Sequence, residues 1–175
     1  HFTMLTRYLI YCPQGLLASP SLVTVLDLAK AGVLLREKEP LKAVLAFLQQ
    51  VVNAKSPLYE NYVAPWFAAN GQALVEALVL ALAETAPQDV TRMRMPVVLY
   101  TLNARFGQVY QEWLRHAVNT CKFSNDAIDQ EVKDQFLKAN INVEHNKGRF
   151  QALVQDFADI CRRSQTTDAL LGFIM

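Results

Sequence analysis

Histidine and cysteine are the side chains best suited to hold a metal or to act as nucleophiles near neutral pH. The chain has three of each: His1, His116 and His145, and Cys12, Cys121 and Cys161. Their spacing supports neither role. Structural zinc sites draw their ligands in closely spaced pairs, and no C-x2-C, H-x3-H or H-E-x-x-H occurs. Glu144 and His145 come nearest to a ligand pair, but they lie in a polar stretch where water is the natural partner. No G-x-S-x-G elbow is present, and no cysteine has a histidine neighbour. Phosphate cradles need glycine-rich loops; the six glycines are isolated, with Gly15, Gly71, Gly107 and Gly148 at breaks between periodic segments. The expectation is a chain without catalytic activity, cofactor or metal. The cysteines are odd in number, widely spaced and on apolar helical faces, which reads as buried reduced thiols of a cytosolic or nuclear protein.

Two other groups of side chains have recognition chemistry. Arg92, Arg94, Arg105, Arg115 and Lys122 concentrate positive charge within residues 88–122, and Asp126, Asp129, Glu131 and Asp134 make the next segment acidic. Each is either a partner surface or an ordinary solvated face. Tyr59, Tyr62, Trp66 and Phe67 cluster around Pro65, where they either pack a kinked core or form a docking surface.

The elements that must carry these residues are helical. In EPLKAVLAFLQQVVN, Leu41, Val44, Leu45, Leu48, Val51 and Val52 fall on one stripe of a helix over 39–53, with Pro40 where a first helical residue belongs. A matching stripe, Leu22, Val25, Leu26, Ala29 and Val33, defines a helix over 20–35. The two form a hairpin that needs neighbours of its own kind to bury its apolar face.

Elsewhere the pattern predicts helices over 1–12, 71–85, 88–104, 107–121, 125–139 and 145–163. Pro13 and Gly15 are read as stopping the first, and Pro96 as kinking 88–104. Ser124-Asn125 reads as the cap of 125–139, and Arg162-Arg163 as cations at the end of the last helix. Residues 54–70 read as two short pieces or one helix kinked at Pro65. Residues 164–175 form a terminal tail.

Composition agrees with a folded helical chain. Hydrophobic residues make up 52% and charged residues 19%, too apolar for disorder. The net charge is +1, which favours neither nucleic acid nor an anionic membrane as partner. The longest strongly apolar run, residues 77–83, is far short of the ~20 residues a membrane span needs. The opening residues show no signal-peptide pattern. The chain begins inside a periodic pattern, so a fragment of a longer protein is expected, with an apolar face left open at its N-terminal end. Helix pairs recurring every ~35–45 residues suggest an all-α solenoid of HEAT or armadillo type. A compact bundle is the structural alternative.

Against that background the stretch FTMLTRYLIYCPQGLLASPSLVTVLDLAKAGVLLREKEPLKAVLAFLQQVV resembles the C-terminal HEAT repeats of karyopherin-β nuclear transport receptors, in the transportin-SR and importin-thirteen branch. The matching features are Phe2 to Pro13, Leu16-Leu17, Leu22-Val25-Leu26-Ala29, and Phe47-Leu48 to Val51-Val52. LYTLNARFGQVYQEWLRHAV is similar to the family's penultimate hairpin through Leu99, Leu102, Asn103, Trp113-Leu114 and Ala117. FQALVQDFADICRR is similar to its terminal helix through Phe157, Cys161 and Arg162. Residues 54–70 have no counterpart, and 122–145 follow the family only loosely. The family's arginine-rich cargo helix and its main arch for the Ran GTPase lie upstream, so no functional residue carries over.

The resemblance implies residues 1–175 as one solenoid unit, the C-terminal arch of a receptor that shuttles between nucleus and cytoplasm. It implies protein cargo on a concave face and, through the full-length receptor, Ran-GTP and nucleoporins as partners. It implies no direct contact with nucleic acid or membrane. Helices 2–12, 39–53 and 88–104 are assigned to the inner row, and 20–35, 71–85 and 107–121 to the outer. On that assignment Lys42, Gln49, Gln50, Arg92 and Arg94 are the candidate concave-face contacts. The alternative reading is a non-catalytic helical-repeat scaffold or adaptor without Ran dependence.

Overall fold

The computed structural model describes residues 1–163 and 166–175. The α-helices among them are α1 (Phe2–Tyr11), α2 (Pro13–Leu17), α3 (Leu22–Gly32), α4 (Lys38–Val52) and α5 (Ala64–Leu80), followed by α6 (Gln88–Met93), α7 (Met95–Phe106), α8 (Gln108–Thr120), α9 (Gln130–Asn142) and α10 (Lys147–Cys161). A 3₁₀ turn, Thr167–Phe173, closes the chain, and no strand occurs among the described residues.

Proline placement decides several boundaries. Cys12 leaves helical geometry (φ −145°) and Pro13 starts α2, so this proline restarts a helix where a stop was expected. Pro96 sits in the first turn of α7, where a missing N–H costs nothing, and Pro65 sits at the start of α5, directly after a π turn. The helix expected over 88–104 is therefore divided at Arg94 into α6 and α7, not kinked at Pro96. Within residues 54–70, expected as two short pieces or one helix kinked at Pro65, the change of helix type falls just before that proline. A π turn, Tyr59–Val63, leads into α5 and a second, Ala81–Thr85, prolongs it. The continuous stretch Tyr59–Thr85 has 27 residues and is apolar enough to cross a membrane by length and composition. It is packed as a core helix, against α3, α7 and α8, and Trp66, Phe67, Leu74, Val75, Leu78 and Val79 are buried.

The helices form two rows. In one, α1, α4, α7 and α10 pack side by side in that order; in the other, α3, α5, α8 and α9 do. Contacts of α3 with α4, α5 with α7 and α9 with α10 join the rows. This reproduces the two groups of helices expected from the sequence. The stripe of α4 is the centre: Leu41, Val44, Leu45, Leu48, Val51 and Val52 are each at most 1% exposed. Burying such a side chain contributes about 1.5–3 kcal/mol. Phe47 is also buried, against Phe2 of α1 with ring centroids 5.3 Å apart. In the second row α5 and α8 approach so closely that the Trp113 indole lies over Gly71; a Cβ there would come within 2.2 Å of the ring.

The far end of the stack is tied by polar contacts. Asp129, not Ser124 or Asn125, caps α9, its Oδ1 accepting from the Val132 N–H at 3.0 Å. Ser124 instead donates its N–H and its hydroxyl to the Glu84 carboxylate, both at 2.7 Å, and the Asn125 amide donates to the Ile160 carbonyl. Arg162 does not serve its own helix end. Its guanidinium donates to the carbonyls of Ala81, Leu82 and Ala86 and to the Thr91 hydroxyl. These carbonyls lie at the π-turned end of the long helix, where the ordinary helical partners are missing.

The expected tail begins with Ser164 and Gln165, which lie outside the described residues. Its remainder is folded onto α9 and α10, with Leu170 fully buried and Asn142 donating to the Ile174 carbonyl.

Candidate partner-binding face

The five candidate contacts all lie on the first row or on α6, which leads into it. Lys42 stands on α4, half-buried, with Nζ 3.1 Å from Glu39 Oε1. Gln49 and Gln50, two turns further along α4, are also half-buried. Arg94 is the exposed residue between α6 and α7. The structure brings Lys42 and Arg94 together: with Asp89 and Met93 they line a shallow depression of about 360 Å³. The neighbouring Lys38–Asp89 ion pair, on the surface, lowers the Asp89 pKa and raises that of Lys38, first through their hydrogen bond and then through charge attraction.

Arg92 turns elsewhere. Its Nη2 donates to Asp159 Oδ2 of α10 at 2.7 Å, and its carbonyl accepts from the Gln155 side chain at 2.8 Å. The Asp159 side chain is only 5% exposed, so Arg92 fastens α6 to α10 as well as offering charge to solvent. Beside it, burial first and the Asp159 charge second push the Asp156 carboxyl up.

Of the cations around the depression, Lys38, Lys42 and Arg92 have acidic partners; the surface is less positive than the sequence suggests. Met93, an apolar residue, is 70% exposed among them. Its one sequence signal is its place between Arg92 and Arg94.

The other candidates divide. Tyr59, Trp66 and Phe67 are core residues, and only Tyr62 of that cluster is exposed. Trp66 Nε1 donates to Asp27 Oδ1 at 2.9 Å, and the Arg105 guanidinium lies 3.8 Å from the centre of the Tyr59 ring. Arg115 and Lys122 are exposed. The acidic residues of the α9 segment are solvated apart from the capping Asp129 and the local bonds of Glu131 and Asp134.

The three thiols occupy three environments. Cys161 is buried as expected and burial pushes its pKa up to about 12; Cys121 is half-buried, its pKa raised by burial first and the Glu76 charge second. Cys12 is exposed, because the turn to Pro13 takes it off the apolar stripe expected for it. His145 is almost fully exposed beside Glu144, and His116 lies 2.9 Å from Glu76 Oε1. Among the described residues no group of three or more His, Cys, Asp or Glu is placed to hold a metal.

A buried polar network joins the end of α7 to the second row. Gln111 of α8 donates through Nε2 to Asn103 Oδ1 at 2.9 Å and to Asn140 Oδ1 at 3.0 Å. Asn103 donates to the Glu144 carbonyl at 2.8 Å. Nothing in the residue spacing marked this trio.

Comparison with known proteins agrees with the architecture. Transportin MOS14 of Arabidopsis thaliana is 22% identical over 184 residues, covering 97% of this chain and 18% of that protein. The solved structure of Importin13 in its cytosolic state superposes with a TM-score of 0.78 and 18% identity, covering 94% of this chain and 18% of that one. The chain thus spans under a fifth of either relative. No family model matches. Sequence and fold together place the chain as similar to one region of the karyopherin-β receptors, a piece of their helical-repeat solenoid.

Proposed function

We propose that the chain is part of a nuclear transport receptor, binds protein cargo along its first row of helices, and releases or exchanges it under control of Ran-GTP. The observation that carries this reading is a likeness running through nearly the whole chain, in sequence to a transportin and in fold to an importin. The row α1, α4, α7 and α10 is the proposed concave wall, with Lys42, Gln49, Gln50, Arg92 and Arg94 on it. Nucleoporin contacts and shuttling between nucleus and cytoplasm belong to the full-length receptor. The role is non-catalytic.

Solenoids of this kind flex because each repeat touches only its neighbours. Small rotations per repeat accumulate into opening or closing of the wall, which gives Ran-GTP a means of acting on cargo at a distance.

The test is a pull-down with the full-length protein in the presence and absence of Ran loaded with GTP. Partners that change with Ran-GTP support the receptor reading. An identical partner set in both conditions supports a scaffold or adaptor and overturns it.

A further inference from the structure

A second cleft, of about 440 Å³, opens at the α7–α8 corner. Its wall includes Gly107, Gln108, Gln111, Glu112 and Arg115 from the start of α8, facing Ile141 and Glu144. From these we infer a binding site for an extended peptide segment, held through its main-chain amides.

The central observation is Gln111, which is 8% exposed yet lines this cleft. Both Nε2 hydrogens are used inward, on Asn103 and Asn140, neither of which lines the cleft. That leaves the carbonyl Oε1 as the one polar atom of this cleft-lining side chain that the inward bonds do not use. The two inward bonds fix the amide plane, so the acceptor is presented in one orientation without further loss of side-chain freedom.

The matching donors stand beside it. Gly107 precedes α8 with φ +53° and supplies no capping side chain, and the first turn contains no acid. The first-turn N–H groups of α8 are therefore uncapped where the helix dipole is positive.

The charge around these groups selects against free anions. Glu112 and Arg115 are exposed, opposite in sign and without ion-pair partners among the described residues, while Glu144 Oε1 lies 3.2 Å from Nε2 of His145, which also lines the cleft. A site lined by two carboxylates and one guanidinium, with one buried acceptor and a set of N–H donors, disfavours a free anion and matches a neutral group carrying one donor and one acceptor. The peptide amide is that group. Ile141, 45% exposed on the opposite wall, offers apolar contact to a side chain of the same segment. This site is independent of the transport reading and lies away from the Lys42–Arg94 depression.

The experiment is an NMR titration of the ¹⁵N-labelled 175-residue protein with N-acetyl-triglycine amide, which carries main-chain amides and no charge. Sodium acetate and ethylammonium chloride serve as controls. The expected result is saturable shifts centred on Gln108, Val109 and the Gln111 side-chain amide, absent with either control. Gln111→Met should weaken binding by about threefold or more, the loss of one hydrogen bond. Should that variant fail to fold, the position of the wild-type shifts and the two controls decide. Equal shifts from acetate would make the cleft an anion site, and equal shifts from ethylammonium a cation site; either overturns the inference. No saturable shift up to the solubility limit also overturns it.

Discussion

Individual residues in this chain do structural work that their type alone does not reveal. Gly71 is the sharpest case. An alanine there would gain about 0.5–1 kcal/mol of helix propensity, but its Cβ would overlap the Trp113 ring. Overpacking of that kind costs about 1–3 kcal/mol, so Gly71→Ala should lower stability, as measured by urea unfolding. Arg162 is the second case. Arg162→Met removes four hydrogen bonds, three to carbonyls at the end of the long helix and one to the Thr91 hydroxyl. The expected loss is on the order of 2–3 kcal/mol, and Arg162→Lys should rescue little of it, because an ammonium cannot span the same fork of acceptors. The thiols give a pH prediction. Cys161 keeps its proton up to about pH 12 when folded, while its unfolded thiol ionises near 9. The native state therefore holds the extra proton in that window, and stability falls as pH rises through it, by up to about 1.4 kcal/mol per pH unit from this group. Cys161→Ala should flatten that slope. At neutral pH a thiol reagent should modify Cys12 fast and Cys161 only on unfolding; equal rates would contradict the structure.

At the scale of the element, much was legible and the errors share a cause. The α4 stripe, the hairpin with α3 and the two rows follow from periodicity, because the side of a helix that meets its neighbours must be apolar along its length. Proline was misread at positions 13 and 96, since a proline marks either the end of one helix or the first turn of the next. Tertiary contacts resolve that choice, and they are not in the local sequence. The same holds for Ser124, whose capping chemistry is diverted to Glu84 forty residues earlier. The candidate contact set was legible only as polar residues off the α4 stripe (Lys42, Gln49 and Gln50) and as the two arginines at 92 and 94; the partners that neutralise Lys42 and Arg92 come from Glu39 and from α10. A direct check on the revised boundaries is the cap of α9. Asp129→Ala should cost about 1 kcal/mol, whereas Ser124→Ala should act through the loss of its Glu84 contact and leave α9 helicity unchanged by hydrogen exchange.

At the scale of the molecule the two ends differ. At one end the 3₁₀ turn packs on α9 and α10, whereas at the other α1 and α3 present Met4, Tyr8, Ile10, Tyr11, Val23 and Leu28 to solvent. Large apolar side chains exposed along a helix favour association. The isolated chain is expected to self-associate through this face, and Met4→Lys with Tyr11→Lys should return it to a monomer in sedimentation equilibrium. A wall whose repeats touch only their neighbours also explains how a small region can match large receptors in fold with few identical residues: the apolar pattern is constrained, and the outward surface is not. The claim that this wall belongs to a Ran-regulated receptor is tested most directly by measuring the affinity of the full-length protein for Ran in its GTP-bound and GDP-bound forms. The account predicts tighter binding to the GTP form by about tenfold or more, within the usual range of allosteric coupling. Equal affinity for the two forms, or no binding to either, would contradict it.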